Sequence, residues 1–412
     1  MSTVPDRGAS SPQLLRRANR QALLQHALGT RQFTASDAMA ATGLTRATVL
    51  GVCGELEQAG WLHEVSGERV EGAVQRGRPA RHYALRAEAA VIVGVDAGQH
   101  TVMARAVDLR GMELAAARRA IDGELDGRDE DQCAAAAESR VQAVRDLVDL
   151  VLEQAGVGTR RRLLTVVGVP APVDSVGRSP SVDSAFWPAM NPDLVGALDG
   201  AVQVENDANL AVLAEHALTA PHARTEHVAA LLMGERFGAG LIVDGRLLRG
   251  TAGGAGEMRF LDDVLGDSRG ADGVAALARR WTLEALAAGQ PSPALAALPV
   301  EALSAVDVFA AARDGDPLAQ EVLDRIAARL ARIVAILSSL LGVERVVVAG
   351  AIAEAIEPVL ERSRLELAGI AAAPLPQLVA STLGRDVVVR GAIELALARL
   401  REDPLELLAP DG

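Results

Sequence analysis

Val91-Ile92-Val93-Gly94-Val95-Asp96 constrains this chain of 412 residues more than any other stretch. A run with no polar face before its last residue reads as a strand covered on both sides. It ends in a carboxylate. Ala97-Gly98-Gln99-His100 then turns the chain, and Thr101 to Asp108 alternates as a second strand. Leu109-Arg110-Gly111 turns again, and Met112 to Ala120 makes a third. An acidic loop leads to a long helix over Asp131–Gln154 and an apolar strand over Leu163–Val169 that stops at Pro170. Strands followed by a crossover helix and another strand predict a layered α/β domain.

A second set of elements follows. Val202–Val204 reads as a short strand, Asn206-Asp207 opens a helix to about Leu218, and His227–Met233 is a strand. Gly238–Val243 and the residues from Gly245 form a Gly-rich hairpin, and 273–298 is largely helical. Asp316 caps a helix with Pro317 at its first position. Val322, Ile326, Leu330, Ile333, Leu337 and Leu341 keep helical spacing along it. Gly342 ends that helix, and Val346–Ala349 is a buried strand. No solenoid repeat is visible.

The segment before Val91 has another texture. Residues 1–12 read as disordered, and a helical pattern runs from Pro12 to Gly29. Thr34 to Gly43 reads as a short helix, with Thr34 or Ser36 as its cap and Gly43 as its left-handed stop. Thr45 caps a third helix that continues to about Gly60. Trp61–Val65 and Arg78–Leu85 read as two strands of a hairpin. Two short helices across a Gly-containing turn, followed by a hairpin, make a winged helix-turn-helix over 13–88. Its third helix would offer Thr45, Arg46 and Thr48 to a DNA major groove, and the wing would add Arg76, Arg78 and Arg81.

Charge fits that division. The whole chain carries −13, which by itself argues against nucleic acid. Residues 1–90, however, hold 11 arginines against 8 acids, and the rest hold 30 against 46. A mildly basic head therefore sits on a strongly acidic body. All 41 basic residues are arginine. Cys53 and Cys133 stand alone, so a disulfide scaffold is excluded and a reducing, cytoplasmic setting is expected. No run of about 18 uncharged apolar residues exists, so no membrane span is expected.

Several segments together resemble the ROK family of repressors and bacterial sugar kinases, from Pro12 to about Leu400. The resemblance implies a two-lobed, actin-like (RNase H-like) sugar-kinase fold over 89–405 behind the winged helix. Val204-Glu205-Asn206-Asp207-Ala208-Asn209 matches the family's catalytic stretch. There the Asp takes a proton from the attacking sugar hydroxyl and the Asn holds another hydroxyl. A plainer reading makes Asp207 the cap of the following helix. Gly253-Gly254-Ala255-Gly256-Glu257 resembles the sugar-binding element whose Glu accepts from hydroxyls. A solvated Glu after a glycine turn is its plainer reading. Pro170-Ala171-Pro172-Val173-Asp174 resembles the loop lining the sugar cleft, though two prolines also explain its rigidity.

Other elements depart from the family. Arg259 and Phe260 stand where a Gly and a zinc-ligating His are usual, and 261–270 lacks the three-cysteine zinc loop. No metal and no cofactor are therefore expected. The first phosphate loop keeps Asp96 and Gly98 but has Gln99 and His100 in place of Gly and Thr. His100 reads equally as a solvated turn residue. The second keeps Gly238 and Gly240 but has Glu235 for the Thr, beside Arg236, which could offset it. The adenosine-side glycines shrink to Gly350. A carboxylate beside a triphosphate repels it.

The resemblance thus implies a DNA-binding regulator of carbohydrate metabolism, a repressor without enzyme activity. Asn206, Asp207 and Glu257 would bind a sugar or sugar phosphate, with Asp207 a vestigial catalytic residue. Asp96, Gly98, Gly238, Gly240 and Gly350 would be vestigial nucleotide contacts. Its partners would be a double-stranded operator, the effector and a second copy, as a homodimer or dimer of dimers. An active ATP-dependent kinase with a DNA-binding head remains an alternative, as does a regulator answering to a protein partner.

Overall fold

The computed structural model describes residues 11–66, 80–123, 129–156, 162–181, 186–219, 226–257 and 272–408. The head begins with α1 (Ser11–Gly29). A strand of two residues, β1 (Phe33–Thr34), follows; it is too short to leave a periodic trace in sequence. α2 (Ala35–Thr42) starts on a reciprocal capping box between Thr34 and Asp37, and ends where Gly43 turns left-handed at φ 71°. α3 (Arg46–Gln58) starts on Thr45. β2 (Leu62–Val65) and β3 (His82–Leu85) pair antiparallel, with β1 on the far side of β3. Leu23, Leu24, Val49, Leu56, Leu62 and Tyr83 fill the space between helices and sheet. This is the winged helix-turn-helix expected.

The body has two lobes with one topology. Lobe one holds β4 (Val91–Ala97), β5 (Thr101–Val107), β6 (Glu113–Ala120), β7 (Arg162–Val169) and β8 (Val202–Asn206). Their order is β6-β5-β4-β7-β8, with β4, β7 and β8 parallel. Lobe two holds β9 (Val228–Met233), β10 (Phe237–Val243), β11 (Arg246–Leu247), β12 (Arg345–Ala349) and β13 (Gln377–Ala380). Its order is β11-β10-β9-β12-β13, the same pattern counted from its own first strand.

Helices cover both sheets on both faces. α4 (Glu130–Gln154), with the short α5 (Phe186–Met190) and α6 (Leu194–Ala197), backs the outer face of lobe one. α8 (Val274–Ala287), α9 (Pro293–Ala296), α10 (Ala305–Arg313), α11 (Pro317–Leu341) and α12 (Glu357–Ile370) back lobe two. α11 carries Val322, Ile326, Leu330 and Ile333 fully inward, each worth about 1.5–3 kcal/mol of burial.

The middle layer is exchanged between the lobes. α7 (Asp207–Leu218) leaves lobe one and packs on β9 and β10 of lobe two. α13 (Val387–Glu402) leaves lobe two and packs on β4 and β7 of lobe one. The two helices pack on each other, and one buried cluster runs through them from the head core to both sheets. α14 (Pro404–Leu408) then meets α1. Gln25 Nε2 ties the head down by donating to the carbonyls of Arg401 (3.1 Å) and Glu402 (2.9 Å). Among the described residues, no helix is long and apolar enough to cross a membrane.

Candidate effector cleft and nucleic-acid interface

The start of α7 sits at the floor of the interlobe cleft. Asn206 ends β8 and caps α7, its Oδ1 accepting the Asn209 N–H at 3.1 Å. Its Nδ2 donates to the carbonyl of Ala171 at 3.0 Å, fixing the Pro170–Asp174 loop to the same point. The cap is thus Asn206 and not Asp207, because the strand carries two residues further than its apolar pattern suggests. One lone pair and one N–H of a buried Asn206 are already taken, which narrows the sugar contact expected of it.

Asp207 therefore occupies the first helical position, where its Oδ1 accepts the neighbouring Ala208 N–H at 2.7 Å. Burial, then the charge of Asp96, then that of Glu257, push its carboxyl up to about 8, against the Ala208 N–H. Burial also lifts Asp96 to about 7, opposed by Arg140 and by the Gly98 N–H. The first strand of lobe one, the first residue of α7 and a loop of lobe two thus deliver Asp96, Asp207 and Glu257 to one electrostatic unit. A carboxyl raised in this way takes up a proton more readily than a free one, and in that form it donates to a hydroxyl.

Glu205 organises this wall. It is 3% exposed, and its Oε1 accepts from the Asn206 N–H (3.1 Å) and from Asn209 Nδ2 (2.9 Å). Its Oε2 accepts from Nε and Nη2 of Arg249, both at 2.8 Å. The Arg249 carbonyl in turn accepts the Ala255 N–H at 3.0 Å, and Ala239 N–H donates to Gly256 O at 3.1 Å. A Cβ at Gly256 would lie 1.8 Å from the Ala239 oxygen, so only glycine lets the Glu257 loop lie on β10. The sequence reading gives Glu205 no role; its one signal is a charged residue directly before the Asn206-Asp207 pair.

The other wall bounds a cavity of about 280 Å³ whose lining includes Asp96, Gly98, His100, Asp207, Glu235, Arg236 and Gly350. Arg118 and Arg385, which carried no signal in sequence, also reach it. The first loop is held from behind by Arg140, which is buried. Its Nη1 donates to the carbonyls of Ala97 and Gly98, both at 2.8 Å, and its Nη2 to that of Gln99 at 3.0 Å. Burial draws this guanidinium down to about 10, and the Asp96 charge resists that.

In the second loop Glu235 is gripped by Arg279 of α8, Nη1 to Oε1 at 3.2 Å and Nη2 to Oε2 at 3.1 Å. The Arg236 guanidinium lies 3.5 Å over the Phe186 ring of lobe one. Gly240 has a packing reason of its own. A Cβ there would lie 1.9 Å from the Ala208 carbonyl oxygen, so the glycine lets α7 approach β10.

On the head, Arg46 is exposed at the first position of α3. Thr45 Oγ1 accepts the Thr48 N–H at 3.3 Å and bonds the Thr48 hydroxyl at 2.9 Å. These two hydroxyls, expected at bases, form the helix cap, since the first helical N–H groups have no other partner. Arg81 is exposed and lies 3.6 Å from Glu64 on the neighbouring strand. Arg76 and Arg78, and the departures at Arg259, Phe260 and 261–270, lie outside the described residues.

Comparison with known proteins supplies the remaining observations. The family model described as ROK family matches residues 92–399. The bifunctional enzyme NanE/NanK of Brucella melitensis is 31% identical over 228 residues, which are 52% of this chain and 41% of that protein. The chain thus spans less than half the length of that relative. The N-acetylmannosamine kinase of Escherichia coli is 27% identical over 305 residues, covering 71% of this chain and 97% of the kinase. Among solved structures, a ROK family transcriptional regulator, a homolog of the E. coli MLC protein, is 21% identical. It superposes with a TM-score of 0.69 over 97% of this chain and 100% of its own. A ROK family glucokinase from Streptomyces griseus, solved with glucose and AMPPNP, gives 0.58 at 26% identity over 74% of this chain and 98% of its own.

Proposed function

The chain belongs to the ROK family, and from that premise we propose that it is a DNA-binding transcription repressor of carbohydrate metabolism whose body senses a sugar without phosphorylating it. The observation that carries this reading is Glu235, held by Arg279 in the loop where the resemblance places the kinases' phosphate grip. Paired with Arg279, that carboxylate puts a side chain where bare backbone N–H groups would be needed, and Gln99 does the same in the first loop.

The sugar wall supports binding. Protonated Asp207 offers a donor, and Glu257 offers acceptors. The remaining groups of Asn206 add to them, and Glu205 and Arg249 hold all three in register. A ligand seated there shifts the molecule between forms only through different affinity for each. α7 and α13 link the cleft to the layer on which the head rests. The capped α3 with Arg46 exposed at its open end supports major-groove and phosphate contact by a pair of heads on two half-sites.

Gel-shift titration against the fragment upstream of its own gene tests this, with a hexose panel added. Retardation that one sugar alters, together with Arg46→Ala weakening binding about tenfold or more, is expected. A coupled ATP assay with the same hexoses runs in parallel. Turnover abolished by Asp207→Ala would overturn the sensor reading and make the protein a kinase. Retention of both kinase-type carboxylates, Asp207 and Glu257, is the observation that favours that second reading.

A further inference from the structure

A second cavity lies away from the interlobe cleft, where α13 passes the turn between β5 and β6 and the far end of α7. It holds about 280 Å³, near the lower end for small-molecule sites. Arg105, Arg110, Arg390 and Arg401 all reach it. Arg105 is neutralised, by Asp386 at 2.7 Å and Glu113 at 3.0 Å. Among the described residues the guanidiniums of the other three have no carboxylate partner; that of Arg110 donates only to the carbonyls of Thr30 (2.9 Å) and Arg31 (3.5 Å). One further acid, Glu394, stands in the wall. Converging guanidiniums in a body with 46 acids against 30 arginines are a local reversal of sign. Guanidinium forks suit phosphate oxygens, while Leu218 and Leu397 give the cavity an apolar side.

The same residues hold the head. Arg110 grips the Thr30 carbonyl after α1, and the Arg401 carbonyl receives Gln25 of α1. α7 joins this cavity to the cleft, with Asp207 its first residue and Leu218 its last. Its length of 12 residues separates the two by about 18 Å.

We propose that this junction cavity binds a small phosphate monoester or free phosphate, and that the anion draws Arg110 off the Thr30 carbonyl and loosens the head. Binding itself is independent of the regulator reading; only the consequence for DNA rests on it. Calorimetry on the full chain with glucose 6-phosphate, glucose and inorganic phosphate tests the site. Saturable binding of glucose 6-phosphate that Arg390→Gln with Arg401→Gln weakens at least tenfold, at unchanged melting temperature, is expected. Phosphate binding with the same arginine dependence assigns the site to the free anion and also supports it. No heat with either anion overturns the proposal. Binding indifferent to the arginine pair but lost in Asp207→Asn overturns it too, because it places the ligand in the cleft. Hydrogen exchange at Thr30–Phe33 should quicken when the anion is bound; unchanged exchange overturns the coupling to the head while leaving operator binding to be judged by gel shift.

Discussion

On one wall of the interlobe cleft, buried Glu205 binds Arg249, Asn206 and Asn209 and so presents Asp207 and Glu257 together. On the facing wall, Glu235 is tied to Arg279 and Arg236 lies on Phe186, so side chains occupy the loop that the resemblance assigns to phosphate. The difference lies in what each wall asks of sequence. A polyol site is an arrangement of side chains held by a buried network, and it stands or falls with that network. A phosphate grip is mostly exposed N–H groups, so side-chain substitutions can weaken it without disturbing the fold. Gly240 makes the point: it persists beside the altered loop because α7 needs the space.

That contrast can be broken most forcefully at Glu205. Glu205→Ala leaves the Asn206 N–H and Asn209 Nδ2 buried without a partner. It should cost about 3 kcal/mol in denaturant unfolding and abolish hexose binding. Normal stability with intact binding would show that the sugar wall does not depend on this network.

A smaller effect is expected at Asp207, and it has a sign. The folded protein keeps a proton to about 8 that the unfolded chain releases above 3.8. Stability from this group is therefore complete below about pH 4 and declines as pH rises toward 8. Asp207→Asn removes the decline, so the variant should melt at the wild-type temperature near pH 4 and a few degrees above it at pH 8. The gain should be on the order of 2 kcal/mol, less than the full shift because water reaches the cleft. A variant less stable at pH 8 would mean that the carboxylates are not in conflict.

The facing wall can be reopened. Glu235→Thr with Arg236→Gly should raise affinity for a fluorescent ATP analogue about tenfold, ~1.4 kcal/mol, in equilibrium titration. No gain would place the obstruction at Gln99 and its Arg140 clamp instead. The least effect belongs to Arg279→Ala. Its pair with Glu235 is about 41% exposed on either side, so unfolding should shift by less than ~1 kcal/mol. A large loss would mean that the altered loop has become structural.

Much of this architecture was legible in the residues. β4 and α11 announce themselves by unbroken apolarity and by spacing, because burial on two faces or one stripe leaves little choice of residue. The head was legible through its punctuation, Thr34, Gly43 and Thr45. Asp207 and Glu257 were legible as motif members, but the rise of the Asp207 carboxyl was not, since the Glu257 charge reaches it only when two lobes come together. Arg140 is one arginine among 41, and nothing local marks it as the clamp on residues 97–99. β1 has two residues and no period. The common strand order of the lobes left no repeat because topology preserves positions and burial while side chains drift.

The exchange of α7 and α13 has a consequence for biosynthesis. Lobe one emerges early from the ribosome with β4 and β7 bare on one side, and its cover is translated some 220 residues after β7, as residues 387–402. The half of the body made first is the half completed last. Until then its valine-rich face is a surface for chaperones or for misassembly, and a stop codon before Val387 would cripple the opposite end of the body from the one it shortens.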